Sequence, residues 1–237
     1  MKINAEGLGF FAINEAIRAA GSEVTLTGCL GQRFIATGMS DVSLTVEGVP
    51  GNALGAYLNG ASITVMGNAQ DAVGDTMNDG SIVVHGSIGD AAGYAMRGGS
   101  IYVKGSAGYR AGIHMKAYRD KVPVMVIGGC AGSFLGEYQA GGVIVVLGLD
   151  GGRIVSNFPC TGMHGGKMIL RSDCRDVVFP DQVSARPASD EELPEIRTYA
   201  AEYCRLFGGD VESVMASPFT VVTPDSSNPY QRLYVAN

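Results

Sequence analysis

Cys160 and His164 are the first residues whose types and spacing could do chemistry, because a thiol and an imidazole four residues apart can share a metal ion. A structural zinc site needs about four ligands and usually a closely spaced cysteine pair. The chain has only two other histidines, predicted on an outer strand face (His85) and at a corner (His114), and its cysteines include no C-x-x-C pair. Metal binding is therefore the less favoured alternative.

The segment Gly128-Gly-Cys-Ala-Gly132 loosely resembles a phosphate-binding loop. Such a loop requires a helix directly after it, whose N-terminal N–H groups face the phosphate. Here Gly136 and Gly141-Gly142 follow, and the next segment has the pattern of a strand. We therefore interpret the segment as a structural turn, with an anion site as the alternative.

The spacing of the polar residues does not indicate a catalytic acid, base or nucleophile. No G-x-S-x-G motif occurs, and no serine or cysteine has a spacing to a histidine that defines a pair. Asp71, Asp75 and Asp79 are predicted to be turn residues that hydrogen-bond to their own backbone, with a catalytic or metal role as the alternative. The sequence thus predicts no catalytic, cofactor-binding or metal-binding residue. A ligand-binding groove near Cys160–His164 or near Gly128–Gly132 is kept as an alternative.

A repeat of strand-like segments must position all of these residues. Ser62–Gly67, Ser81–Gly86 and Ser100–Gly105 begin 19 residues apart, and a period near 20 is typical of a solenoid. Seven segments of alternating apolar residues end on a glycine, with the apolar residues predicted inside: Val24-x-Leu26-x-Gly28, Leu44-x-Val46-x-Gly48, Ile63-x-Val65-x-Gly67, Ile82-x-Val84-x-Gly86, Ile101-x-Val103-x-Gly105, Val124-x-Val126-x-Gly128 and Ile144-x-Val146-x-Gly148.

Further glycines recur at two other places in each coil. Because glycine adopts positive φ freely and permits close approach, we interpret both sets as corners. They are Gly55, Gly74, Gly93, Gly112 and Gly136, and Gly60, Gly80, Gly99 and Gly142.

The outer face changes along the repeat. Its residues are polar or mixed in the early coils and apolar in the last two, where Met125, Ile127, Val145 and Leu147 are predicted to point outwards. An apolar outer face must be covered, by the C-terminal segment, a partner subunit, or both. The charged insertion Lys116–Lys121 is predicted to be either an interaction loop or a tolerated insertion.

Three parts of the chain are predicted. Residues 1–21 contain a capping helix (8–20, ending at Gly21), residues 22–171 form the solenoid, whose last strand is Lys167–Arg171, and residues 172–237 form a linker, a helix and a tail. Ser189–Glu192 is a capping box for the helix near 189–207, and Asp210 caps a second helix through Met215. The tail from Ser217 keeps apolar residues for docking: Phe219, Val221, Tyr230, Leu233 and Tyr234.

Composition narrows the class of partner. The net charge is −6 and no basic run alternates with aromatic residues, which argues against nucleic acid. No apolar run reaches 18 residues and Met1–Glu6 begins no signal peptide, so we expect a cytoplasmic protein without a membrane span. The five cysteines are expected to be mostly buried free thiols.

Several phrases have a family likeness that runs in order through the chain. The phrases are Gly48-Val-Pro-Gly-Asn52, Gly67-Asn-Ala-Gln-Asp71, Asn78-Asp-Gly80, Gly93-Tyr-Ala-Met-Arg-Gly-Gly99, Gly162-Met-His-Gly-Gly166 and the Pro229-Tyr230…Leu233-Tyr234 ending. With these phrases the chain resembles the G-x-G-x-G domain that ends the large subunit of glutamate synthase, and is closest to the free-standing third subunit of the split, archaeal-type enzyme. A similar domain occurs in formylmethanofuran dehydrogenase.

The resemblance implies an all-β fold, a single-stranded, right-handed parallel β-helix, and a non-catalytic scaffold role. Amidotransferase and FMN-binding synthase subunits would be its partners, with FMN and an iron–sulfur centre in those partners and no cofactor in this chain. The complex would make glutamate from glutamine and 2-oxoglutarate. An N-methylglutamate synthase, a formylmethanofuran dehydrogenase-like complex and a stand-alone ligand-binding protein are the alternatives, and homo-oligomerisation is left open.

Overall fold

The computed structural model describes residues 1–228, which form one eleven-stranded sheet with three helices. The strand order is β1 to β9 in sequence, then β11 and β10. The elements are β1 Lys2–Asn4, α1 Phe10–Ala19, β2 Glu23–Leu30, β3 Ser43–Val49, β4 Asn59–Val65, β5 Asp79–Val84, β6 Ser100–Val103, β7 Val124–Ile127, β8 Ala140–Val146, β9 Gly165–Leu170, β10 Val183–Pro187, α2 Leu193–Phe207, α3 Val211–Met215 and β11 Thr220–Pro224.

Strands β1 to β9 pair in parallel, each with the next, so the predicted parallel β-helix is confirmed with about eight turns. Strands β3 to β9 each place an apolar residue in one inward file, and these residues belong to a single buried core. The file contains Leu44, Ile63, Ile82, Ile101, Met125, Ile144 and Met168. Alternation along the strand explains the pattern, because every second side chain points to the same face.

The predicted register is wrong in β7. Ile101 pairs with Met125 and Val103 with Ile127, so Met125 and Ile127 point inwards and Val126 points outwards. The repeat pattern places Gly128 at the end of this strand, but it is the first of a Gly-Gly pair. Gly129, and not Gly128, occupies the closing position, since its N–H donates to Gly105 O at 2.8 Å.

The mid-coil glycines form a buried corner, as predicted. From Gly55 to Gly136 their φ angles lie between +65° and +70°. A Cβ on Gly93 would collide with Met125 Cε. Residues on either side of these glycines, such as Ala91 and Ala95, also have positive φ (+53° and +50°). The corner thus contains more left-handed residues than the glycines alone indicated.

Helix α1 covers the first end of the core. Ile13 and Ile17 are fully buried, and Asn14 between them donates to Phe34 O (2.8 Å) and accepts from Ala36 N (2.8 Å). Gly21 follows with φ +91°, the left-handed conformation expected of a helix stop. Strand β1, which precedes the helix, was not predicted.

Helices α2 and α3 cover the outer face of β6 to β9. Ile196, Ala200 and Tyr203 pack against Val145 and the other outward residues of those strands in a second apolar cluster. Covering of this face by the C-terminal segment is therefore confirmed. The cap of α3 is as predicted, since Asp210 accepts from Ser213 N.

The predicted capping box is only half formed. Helix α2 begins at Leu193, and its N-cap Glu192 makes no side-chain cap bond. Glu192 Oε2 accepts from Ser189 N at 3.0 Å, but Ser189 lies too far ahead of the helix to cap it.

The predicted linker and the predicted extended tail each contain a strand. β10, in the predicted linker, pairs antiparallel with β11, which in turn pairs antiparallel with β9. The parallel sheet therefore ends in an antiparallel pair. Pro229, Tyr230, Leu233 and Tyr234 lie outside the described residues.

Candidate functional site

The backbone of Gly128–Gly132 is used to stack coils. Gly128 N donates to Val103 O (2.8 Å), Ala131 N to Ile154 O (3.1 Å) and Gly132 N to Ala107 O (3.0 Å). Cys130 N donates to Ser106 Oγ at 2.8 Å. These N–H groups are bonded to neighbouring coils rather than converging on one point, which is the geometry of a turn and not of a phosphate cradle.

The same turn contains a polar cluster that sequence reasoning missed. Asp150 Oδ1 accepts from Cys130 Sγ (2.9 Å) and Asp150 Oδ2 from Ser106 Oγ (2.7 Å). Partial burial and the neighbouring carboxylate raise the pKa of Cys130 to about 12. The hydrogen bonds from Cys130 and Ser106 lower the pKa of Asp150 to about 2. The thiol therefore stays protonated at neutral pH, whereas a cysteine nucleophile reacts as the thiolate.

Cys160 and His164 do not form a pair. Cys160 is buried in the core, with Sγ 3.6 Å from Met168 Sδ, and burial raises its pKa to about 12. His164 Nδ1 lies 3.0 Å from Gly162 O in its own loop. Cys160 has φ +60° and continues the file of corner glycines, so its place in the fold is structural.

The other two histidines lie in aromatic contacts. The ring of His85 is perpendicular to that of Phe207 at 5.2 Å, and His114 stacks on Tyr138 at 5.2 Å. Within residues 1–228, no three His, Cys, Asp or Glu side chains are grouped as metal ligands would be.

The predicted role of the aspartates is wrong in one respect. Asp71 Oδ1 accepts from Asp90 N (2.9 Å), which is in the next coil rather than in its own turn. Asp79 does accept locally from Gly80 N, but it also forms an ion pair with Lys121 (2.6 Å), and this hydrogen bond lowers its pKa. The aspartates thus join coils and anchor the insertion.

A ladder of polar side chains continues this stacking. Asn68 Oδ1 accepts from Ser87 N (2.8 Å), and Ser87 Oγ accepts from Ser106 N (3.1 Å). A sequence signal for the ladder exists, because each of these residues directly follows a closing glycine. The glycines are needed for close approach, since a Cβ on Gly86 would collide with Asn68 Oδ1.

Exposed aromatic side chains form an end patch beside α1. Phe10, Phe11 and Phe34 are 48%, 73% and 45% exposed. The ring of Phe10 lies 5.4 Å from Phe11 and 5.9 Å from Phe34, beside a surface hollow of about 420 Å³. Exposed aromatic groups in contact with one another are typical of binding surfaces.

A second aromatic group forms a flank patch on the later coils. The ring of Phe134 lies 5.3 Å from Tyr109 and 5.2 Å from Phe158. Arg110 Cζ lies 4.8 Å from the Tyr109 ring centroid. Its Nε is 2.7 Å from the buried carboxylate Oε2 of Glu137, an ionic contact without hydrogen-bond alignment.

The architecture is that of a parallel β-solenoid with glycine corners and aromatic patches on its surface. Residues 8–225 match the GXGXG motif family, and the chain belongs to that family. The chain is 41% identical to an uncharacterized protein of Methanocaldococcus jannaschii, over 98% of this chain and 95% of that protein. Within residues 1–228, no helix has the length and hydrophobicity to cross a bilayer.

A solved structure shows the same fold. The chain is similar, with a TM-score of 0.60 and 19% identity, to a chain of the formyltransferase/hydrolase complex of Methylorubrum extorquens, solved in complex with methylofuran. The likeness covers 91% of this chain and 88% of that one. At 19% identity, this structural likeness supports the fold alone.

Proposed function

We propose that this chain is a non-catalytic structural subunit of a multisubunit glutamate synthase, in which it holds an amidotransferase subunit and an FMN-binding synthase subunit. The observation that carries the proposal is the pair of exposed aromatic patches on a solenoid of the GXGXG motif family. Aromatic and arginine side chains are enriched where proteins bind one another. FMN and an iron–sulfur centre would be held by the partners.

The environments of three cysteines disfavour a reactive thiolate, which is consistent with a scaffold role. Burial raises the pKa of Cys29 to about 11, and the thiols of Cys130 and Cys160 titrate near 12. These groups are protonated thiols at neutral pH. A rigid scaffold is the role that the stacked coils support best.

Purification of the tagged chain from its source organism tests the proposal. We expect amidotransferase and flavin-containing synthase chains to co-elute, and the complex to form glutamate from glutamine and 2-oxoglutarate. Phe11→Ser should weaken co-elution, because a polar residue would replace an exposed ring of the end patch. Met66→Ser, which changes a similarly exposed residue (54%) outside both patches, is the matched control.

Bound flavin or glutamine-dependent turnover in the isolated chain would contradict a scaffold role. A second candidate is a subunit of a formyl-transferring complex, favoured by the likeness to the formyltransferase/hydrolase chain. Co-eluting chains that transfer formyl groups, and form no glutamate, would establish it instead. Formation of N-methylglutamate when methylamine is added would instead identify the complex as an N-methylglutamate synthase.

A further inference from the structure

The insertion Lys116–Lys121 folds back over earlier coils. Lys121 Nζ lies 2.6 Å from Asp79 Oδ2, although Asp79 begins β5 and strand β6 lies between. Within the insertion, Tyr118 and Lys121 exchange backbone hydrogen bonds of 3.0 and 3.1 Å. Gly98 lies beneath, where a Cβ would be only 3.0 Å from Lys121 Cβ. The loop is therefore anchored to the side of the solenoid.

The anchored loop forms one wall of an open groove of about 490 Å³, which we call the loop groove. Its floor crosses four successive coils at Gly38, Tyr57, Asn78 and Arg97. Strands in a sheet are about 4.8 Å apart, so the floor is about 14 Å long, which fits four or five residues of extended chain. The groove is open and runs along the stacking axis, whereas small-molecule sites are clefts or cavities that bury most of the ligand's surface.

The groove carries positive charge in an acidic protein. Arg97 and Arg119 line it, and neither is in an ion pair with another residue in the described chain. Lys121 is neutralised by Asp79, and one further carboxylate, Asp120, lines the groove. The chain as a whole has a net charge of −6. The unpaired guanidinium groups therefore favour a ligand that brings its own carboxylates.

Tyrosine side chains complete the surface. Tyr57 and Tyr118 are 56% and 50% exposed, and Arg119 Cζ lies 5.2 Å from the Tyr118 ring. Tyrosine and arginine, together with tryptophan, are enriched among the residues that contribute most of the binding energy at interfaces.

We propose that the loop groove binds an extended, acidic segment of a partner polypeptide, whose carboxylates contact Arg97 and Arg119. The inference rests on the proposed function, because it assigns one docking surface of a scaffold subunit. Charge complementarity selects the occupant, and the length and openness of the groove select a peptide chain over a small dicarboxylate.

Fluorescence anisotropy of the full chain with labelled hexaglutamate tests the groove directly. We expect hexaglutamate to bind, hexaglutamine not to bind, and affinity to fall with salt because exposed charges are screened. Arg97→Glu with Arg119→Glu should weaken binding by roughly tenfold or more, since each reversal turns an attraction into a repulsion. Arg33→Glu, at an exposed arginine outside the groove, should change it less than about twofold.

Equal binding by the double variant, or no binding of hexaglutamate to the wild type, would overturn the proposal. Glutarate that competes with hexaglutamate at equal concentration would also overturn it, and would identify a small-molecule site. All variants are on exposed side chains, so an unchanged thermal midpoint confirms that they fold.

The partner itself is identified by photo-cross-linking in the complex purified from the source organism. A benzophenone amino acid in place of Tyr118 should cross-link to a segment rich in Asp and Glu. The same group in place of Met66, an exposed residue outside the groove and both patches, should not. A cross-linked segment without acidic residues contradicts the groove proposal, even when partners co-elute. Absence of co-eluting partners contradicts the proposed function instead, and leaves the peptide-binding result to decide the groove.

Discussion

One outward file of residues runs through an early, open region of the solenoid and a late, covered region. In the early coils its members are half-buried, and in the later coils they are buried beneath the C-terminal segment. The early members are Thr25, Thr45, Thr64 and Val83, and the late members are Tyr102, Val126, Val145 and Ile169. The inward files of both regions are equally apolar. The outer face alone therefore distinguishes the two regions.

The largest expected effect is a charge placed on the covered side of this file. Val145→Asp should lower the free energy of unfolding by about 4 kcal/mol or more, because a carboxylate would be buried without a partner. Thr64→Asp, in the same file of the open region, should cost less than about 1 kcal/mol. Urea denaturation measures both.

Equal losses for the two variants would contradict the division into covered and open regions. If Val145→Asp does not fold, Val145→Thr provides the milder comparison. It should cost about 1–2 kcal/mol, since a buried methyl group is exchanged for a hydroxyl.

Corner substitutions should affect both regions alike. Gly93→Val and Gly136→Val should each cost about 3 kcal/mol or more, because both positions have positive φ (+66° and +65°) and a new side chain would meet Met125 or Met168. Gly38→Val has the same φ (+65°) and nothing within 4 Å of the added Cβ, so it should cost about 1–2 kcal/mol. Comparing the thermal midpoint of Gly38→Val with those of the other two variants separates backbone strain from overpacking. An unchanged midpoint for Gly93→Val would contradict the assignment of Gly93 to a buried corner.

A smaller effect is expected where α2 is joined to the solenoid. Tyr203 Oη donates to Lys104 O at 2.9 Å. Tyr203→Phe should cost about 1 kcal/mol, because the Lys104 carbonyl loses the donor of a part-buried hydrogen bond. Tyr57→Phe, at an exposed tyrosine of the open region, should have no measurable effect on urea denaturation. A larger loss of unfolding free energy for Tyr57→Phe than for Tyr203→Phe would contradict this contrast between the covered and open regions.

The smallest effect is a pH dependence at Asp150. The pKa of this carboxyl is lowered from 3.8 to about 2 in the folded chain, so its contribution to stability is present above pH 4 and is lost as the pH falls towards 2. Asp150→Asn should remove that part of the acid dependence. Differences in unfolding free energy between wild type and variant, measured from pH 5 to pH 2, should shrink with falling pH.

Alkylation of Cys130 provides an independent check of the same contact. The Asp150 carboxylate contributes to the raised pKa of Cys130, so Asp150→Asn should lower that pKa and speed iodoacetamide labelling at pH 8.5. A constant difference in stability across the pH range, with unchanged labelling, would contradict the hydrogen bond. Cys130 is the suitable reporter because the other four cysteines are buried.

The features that repeat with the coil period could be predicted from the sequence. The coil repeat, the inward file and the mid-coil corners follow from apolar alternation and from glycine spacing, which are local properties. The prediction failed at β7, where the following Gly128-Gly129 pair offered two alignments one residue apart. A shift of one residue exchanges the two faces of a strand, so Met125 and Val126 were assigned to the wrong sides.

The candidate site was less accessible from the sequence. The separation of Cys160 from His164 depends on which side chain enters the core, and spacing alone leaves that open. The contacts of Cys130 with Asp150, and of Lys121 with Asp79, join residues 20 and 42 positions apart. Such pairs are brought together only when coils stack.

The sequence by itself determined that this chain stacks as a solenoid, because the repeat encodes an apolar inner face and a bend in every coil. Only the tertiary structure decided what happens outside that core: the antiparallel end formed by β10 and β11, the seating of α2, and the groove beneath the insertion. The physical reason is that burial of an inner face is repeated in each coil, whereas each outer contact occurs once and depends on residues far apart in the chain.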